Sequence, residues 1–160
     1  MSKSLARVRA ALLAAGSDAQ VLEMAEDTRT AAQAAAAAGC ALDQIVKSIL
    51  FQGGTTGRLF LFLTAGGNVV SPPRAAALVG EPLGRADAGL VRARTGFAIG
   101  GVAPVGHLSP LQGFFDPRLL EFPLVWAAAG TPRHIFALDP AALLRISGTE
   151  RAEFADRAEM

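Results

Sequence analysis

Two apolar runs split by a glycine-rich turn constrain this chain most. Ile45 to Gln52 reads IVKSILFQ, and Arg58 to Thr64 reads RLFLFLT. Runs of this length, rich in β-branched and aromatic residues, favour extended backbone. Gly53, Gly54 and Gly57 lie between them, so a β-hairpin with a five-residue loop is expected. Alternation puts Ile45, Lys47, Ile49 and Phe51 on one face of the first strand and Val46, Ser48 and Leu50 on the other. Both faces are apolar apart from Lys47 and Ser48, as in a strand covered on both sides.

Helices are expected around this hairpin. Leu5, Val8, Leu12 and Leu13 recur at helical spacing and Gly16 can end the helix. Thr30 to Gln33 has the capping-box pattern and opens an alanine-rich helix that runs to Gly39. Ser71-Pro72 starts a third helix that closes at Gly80, Asp87 caps a fourth that ends at Gly96, and Asp139-Pro140 starts the last. Further strands are expected at Gln20–Met24, Leu111–Phe115, Leu124–Ala128 and His134–Leu138. Strands and helices mix without strict alternation. The fold class is therefore α+β around a mixed, largely antiparallel sheet.

Composition sets the limits. The 160 residues suffice for one domain, residues 1–160, and 51% are hydrophobic against 18% charged, which excludes a disordered chain. A net charge of +1 does not suit a protein that coats duplex DNA, where many phosphates need neutralising. It leaves room for contact with a short piece of nucleic acid. Cys40 is the single cysteine, so no internal disulfide or multi-cysteine metal site can form, and a reducing, cytoplasmic setting is expected. The N-terminal apolar run is broken by Arg7 and Arg9 and reads as an amphipathic helix rather than a signal peptide. No apolar stretch approaches the roughly 20 residues that span a bilayer, so no membrane association is expected.

Most motifs of catalysis are missing. There is no phosphate-binding G-x-x-x-x-G-K-[ST] loop, no G-x-G-x-x-G and no G-x-S-x-G elbow. His107 and His134 lack metal-ligand spacing, so neither metal nor cofactor is expected. Cys40, next to the helix-ending Gly39, reads as an inert, small hydrophobe.

Two features stand out. The chain has thirteen arginines but only two lysines, Lys3 and Lys47. A lysine inside an apolar strand needs a partner or a cavity for its ammonium. It either snorkels out at the strand's end or forms a cationic point on a pocket wall. The second feature is Gly100-Gly101-Val102-Ala103-Pro104, within the glycine-punctuated segment 96–107. It is either a plain turn or a stretch of bare backbone whose N–H groups meet an oxyanion or a phosphate. Arg74, Arg85, Arg92 and Arg94 form the only local basic cluster, read as a solvated face or as a small phosphate-contacting patch. His134, in a strand, reads as a structural histidine.

Taken together, these segments resemble the YbaK/prolyl-tRNA-synthetase-associated editing domain family. The resemblance rests on Thr28-Arg29-Thr30-Ala31, on DQIVKSILF around Lys47, on TGFAIGGVAPVGH with its G-x-x-x-P loop at Gly100–Pro104, and on FFDPRLLEFPLVWAAAGTP. It runs from about Thr28 to Glu150. It implies a barrel-like sheet flanked by helices and the hydrolysis of the ester of a misacylated tRNA. It gives Lys47 the role of holding the terminal adenosine's phosphate or the ester region, and the backbone of Gly100, Gly101 and Pro104 that of positioning the ester. Thr30 and Phe97 would line the pocket, and His134 falls at a polar position that varies among members. The base would be a ribose hydroxyl of the terminal adenosine that positions water. The implied partners are the aminoacyl-tRNA acceptor end, contacted by Arg74, Arg85, Arg92 or Arg94, and prolyl-tRNA synthetase as a candidate. The substrate would carry a small amino acid such as Ala, Cys, Ser or Thr, on the proline tRNA. Two rival readings stand beside it: a module that binds a tRNA end or nucleotide without turnover, and an interaction protein that has kept only the fold.

Overall fold

The expected hairpin forms the centre of the sheet. In the computed structural model, which describes residues 2–158, the chain runs through α1 (Lys3–Ala14), β1 (Val21–Glu23), α2 (Ala31–Ala38), β2 (Ile45–Gly53), β3 (Leu59–Ala65), β4 (Asn68–Val70), α3 (Pro72–Val79), β5 (Leu83–Arg85), α4 (Ala88–Thr95), β6 (Gln112–Phe115), β7 (Val125–Thr131), β8 (His134–Leu138), α5 (Pro140–Ser147), β9 (Glu150–Arg151) and β10 (Ala155–Arg157). Short 3-10 turns at Leu42–Gln44 and Pro117–Glu121 lead into β2 and out of β6.

The main sheet has the order β1-β8-β7-β2-β3-β6-β9, with β5 also on β2, and β10 pairs with β4 apart from it. β2 pairs antiparallel with β3 and parallel with β7; β3 pairs parallel with β6. This is the mixed, largely antiparallel sheet flanked by helices expected from the sequence. Its hydrogen-bonded path ends at β1 and β9 without closing.

Alternation along β3 separates two cores. Leu59, Leu61, Leu63 and Ala65 point into the larger one with Val46, Phe97, Val105, Phe115 and Phe136. Phe60 and Phe62 point the other way, toward Phe114, Ala75 and Phe154. There Phe62 stacks on Phe114 at 5.4 Å and meets Phe154 edge-on at 5.1 Å between ring centroids. Burying such a ring stabilises the fold by about 3–5 kcal/mol relative to alanine. In a third, smaller cluster, Ala34 and Ala35 of α2 lie against Ile45. The small alanine side chains let this helix approach the sheet closely.

Helix ends follow the sequence with one correction. Thr30 forms the full capping box with Gln33, Asp87 accepts from Leu90 N and Asp139 accepts from Ala141 N. Ser71 stands at the start of α3 but its side chain makes no capping bond. Its backbone N–H donates instead to Phe154 O at 2.7 Å, tying the helix start to the segment before β10. The strands β4, β5, β9 and β10 were not expected, because two or three residues cannot display a period.

Candidate functional site

Lys47 lies opposite Thr64 across the hairpin, half-buried, on the face that carries Ile49 and Phe51. Its Nζ donates to the backbone carbonyl of Asn68, the first residue of β4. Asn68 is reached by a tight turn through Gly66 and Gly67 that presses on the Leu42–Gln44 turn. A Cβ at Gly66 would come within 2.2 Å of Leu42 O, and one at Gly67 within 2.3 Å of Asp43 Oδ1. Only glycine allows this approach.

Two carboxylates hold that turn. Asp43 Oδ1 accepts from Gly67 N at 2.8 Å. Asp116 Oδ2 accepts from Ala65 N at 3.0 Å and from Asn68 Nδ2 at 2.9 Å, while its Oδ1 takes Arg118 N. Both residues are buried. Asp43 Oδ2 in turn receives Arg118 Nε at 2.9 Å and Arg157 Nη1. Burial pushes the Asp43 carboxyl up, but hydrogen bonds from Arg157, Arg118 and Gly67 outweigh it and hold the carboxyl below its ordinary range. Burial pulls Lys47 below the usual lysine value, and the charges of Asp116 and Asp43 oppose that pull. Lys47 is therefore a fixed cation backed by anions, neither a snorkelling surface lysine nor an edge guard.

The glycine loop follows α4 and is closed at its base. Leu108 N donates to Thr95 O and Ser109 N to Arg94 O, so the ends of the loop meet. Phe97, Val102, Ala103, Pro104 and Val105 are buried, whereas Gly100 is exposed. His107 Nε2 donates to Ala103 O at 2.7 Å and braces the loop from within. Gly101 N donates to Ala98 O at 2.9 Å, so this N–H is engaged inside a turn. Gly100 has φ +84°, a conformation that favours glycine, with open space where a Cβ would stand. Among the described residues its N–H has no protein partner.

Lys47 and this loop are set against different faces of β2. The loop's buried side chains join the core that contains Val46, while Lys47 stands on the opposite face. Phe97 is fully buried, with the Arg7 guanidinium 5.0 Å above its ring and His107 edge-on at 5.9 Å. It supports the loop from behind. Thr30 is exposed at the start of α2, its hydroxyl engaged in the capping box. His134 shares a hydrogen bond of 2.6 Å with Thr131 at the β7–β8 turn. Arg85, Arg92 and Arg94 are exposed on β5 and α4. Arg74 lies on α3, bonded to Ala155 O and paired with Asp156. Cys40 is half-buried beside α2, and burial pushes its thiol up, which fits the inert reading.

Sequence reasoning missed Asp43, Asn68, Asp116, Arg118 and Arg157. For Asp116 the available signal was an acid directly after the apolar pair Phe114-Phe115 and before Pro117. Two surface concavities, of about 360 and 310 Å³, lie beside Arg9–Val21 and beside Asp27 and Gln33; neither takes in Lys47 or the loop. Among the described residues no cluster of three His, Cys, Asp or Glu could hold a metal, and no helix is long and apolar enough to cross a membrane.

The family model described as the aminoacyl-tRNA editing domain matches residues 25–146. The chain belongs to this family. A solved structure described as a candidate trans-editing enzyme for prolyl-tRNA synthetase shares 45% identity, covering 98% of this chain and 99% of that one, with a TM-score of 0.90. A scaffold protein used for epitope backbone grafting is similar at 44% identity, 98% and 99% coverage and a TM-score of 0.90. A protein described only as hypothetical matches at 27% identity over 94% of this chain and 99% of its own, with a TM-score of 0.86. No curated protein matches the chain. In this editing domain the family match takes in Lys47 and the glycine loop, while α1 and β10 lie outside the matched range.

Proposed function

We propose that this editing domain is a free-standing deacylase that acts in the cytoplasm and hydrolyses the ester of a misacylated tRNA. The observation that carries the proposal is Lys47: one half-buried cation, fixed by the Asn68 carbonyl and backed by two buried carboxylates, inside an editing-domain fold. Similarity to a candidate trans-editing enzyme for prolyl-tRNA synthetase points to the proline tRNA and to that synthetase as a partner. The amino acid removed is small: Ala, Cys, Ser or Thr.

In this reading the Lys47 ammonium attracts the phosphate or ester oxygens of the acceptor end. The exposed backbone at Gly100 approaches the aminoacyl group, and the buried Pro104 stiffens the loop. An aminoacyl ester is already activated, so orientation and charge stabilisation can supply the several kcal/mol needed. Arg85, Arg92 and Arg94 are free to meet the tRNA backbone, and Arg74 only if it leaves Asp156. No metal enters the reaction, so a chelator is expected to leave the rate unchanged.

The test is deacylation of alanyl-, cysteinyl-, seryl-, threonyl- and prolyl-tRNA by wild type and Lys47→Ala. Loss of one misacylated ester, dependent on Lys47 and sparing prolyl-tRNA, is the expected result. The engaged N–H of Gly101 favours a second reading, a module that binds the tRNA end without turnover. Saturable binding of uncharged tRNA with no ester loss in the whole panel would support it and overturn the deacylase.

A further inference from the structure

The ammonium of Lys47 is aimed by a carbonyl whose own position depends on side chains far away in sequence. Asn68 O accepts from Nζ. Asp116 holds Asn68 through its side-chain amide and holds Ala65 through its backbone, on either side of the Gly66-Gly67 turn. Asp43 holds Gly67 inside it. Three anchor points of one turn, Ala65, Gly67 and Asn68, thus rest on two carboxylates. β10 closes the arrangement: Arg157 pairs with Asn68 across the small sheet and its guanidinium reaches Asp43. Among the described residues Asn68 Oδ1 is buried without a partner, and the amide is oriented by its bond to Asp116.

We propose that Asp116 and Asp43, with Arg157 of the C-terminal strand, are positioning residues for Lys47, setting where its ammonium stands. None of the three is required to touch substrate. This rests on the deacylase reading for its effect on rate, but the geometry itself is testable without tRNA. The charged groups acting on Lys47 are Asp116 after β6 and Asp43 before β2, and Asp43 in turn carries Arg118 and Arg157 of β10.

The chain's two lysines make a direct experiment possible. Protein labelled with ¹³C,¹⁵N-lysine gives two side-chain signals, and Lys47→Arg identifies the one that belongs to position 47. Asp116→Asn removes an anion and leaves a single oxygen for three donors. The Lys47 signal should shift, and its titration midpoint should fall. Arg157→Gln, a change at an exposed side chain, leaves Asp43 less neutralised, so the midpoint should rise. Opposite movements from two variants are not produced by general loosening. In deacylation, Asp116→Asn should lower kcat about a hundred-fold with KM little changed, as misplacement of a reacting group by about 1 Å does. Should Asp116→Asn fail to fold, Arg157→Gln still decides. An unmoved Lys47 signal in each folded variant overturns the proposal, whatever the activity. If wild type deacylates nothing but the signals move as stated, the positioning stands and the deacylase reading fails.

Discussion

Around Lys47 the polar contacts join groups far apart in the chain: Asp43, Asn68, the Asp116–Arg118 turn and Arg157 come from four separate places. The Gly100–Pro104 loop is closed mainly by its own flanks, with base bonds at Thr95–Leu108 and Arg94–Ser109 and a brace from His107 to Ala103, and Arg7 of α1 adds a bond to Gly96 O at its start. The difference follows from what each presents. A cation taken halfway out of water needs fixed acceptors and counter-charge. A loop that offers backbone needs only a rigid base and an open tip. Damage at Lys47 should therefore spread through long-range contacts, and damage at the loop should stay local.

The sharpest way to break this comparison is at the cation itself. Lys47→Ala is expected to lower deacylation by about a hundred-fold or more, the scale on which single stabilising charges act in active sites. The fold should survive with a stability loss of about 1 kcal/mol in thermal unfolding, because Asn68 O loses its donor and Asp116 and Asp43 lose a counter-charge. Circular dichroism together with the ester panel checks both halves. Retained activity would put the chemistry at the loop alone.

Next in size is the turn beneath the cation. Gly66→Ala sets a methyl group against the Leu42 carbonyl, a backbone atom that cannot swing aside. The expected loss is about 3 kcal/mol of stability, at the upper end for overpacking, read from a denaturant midpoint. Gly100→Ala tests the loop in contrast. Its added methyl meets no atom, so only the left-handed backbone is strained, at about 1–2 kcal/mol. A larger loss at Gly100 than at Gly66 would reverse the comparison.

The same contrast governs what could be read from the sequence. The hairpin, the five helices and the strand at His134–Leu138 were legible because period and capping residues are local signals. Lys47 was legible because it interrupts an apolar strand in a lysine-poor chain. Its surroundings were not. Asp116 reaches Ala65 only because β6 pairs parallel with β3 in the register Phe115↔Leu63. Arg157 reaches Asp43 only because a three-residue strand pairs with another three-residue strand. Neither pairing has a local signature. The loop was legible as glycine-rich, yet its N–H directions depend on a turn that commits Gly101 to Ala98. The family resemblance made Phe97 a pocket wall, but it stands fully buried behind the loop, with Arg7 of α1 over its ring.

The smallest expected effect concerns pH and the loop's internal brace. Burial holds His107 below the ordinary histidine value, opposed by its bond to Ala103 O. A histidine with a depressed folded value binds its proton less readily than the unfolded chain does. Stability from it is complete above the unfolded value, near 6.5, and is lost as pH falls through the folded value. His107→Gln should flatten that decline in unfolding midpoints measured below pH 6.5, and should cost about 1 kcal/mol at pH 8 through the weakened brace. Asp43 also lowers stability in acid, but its folded value lies below the carboxylate range, so its decline comes at lower pH and persists in the variant. An unchanged slope between pH 6.5 and 5 in His107→Gln would show that the loop is braced by its base bonds alone.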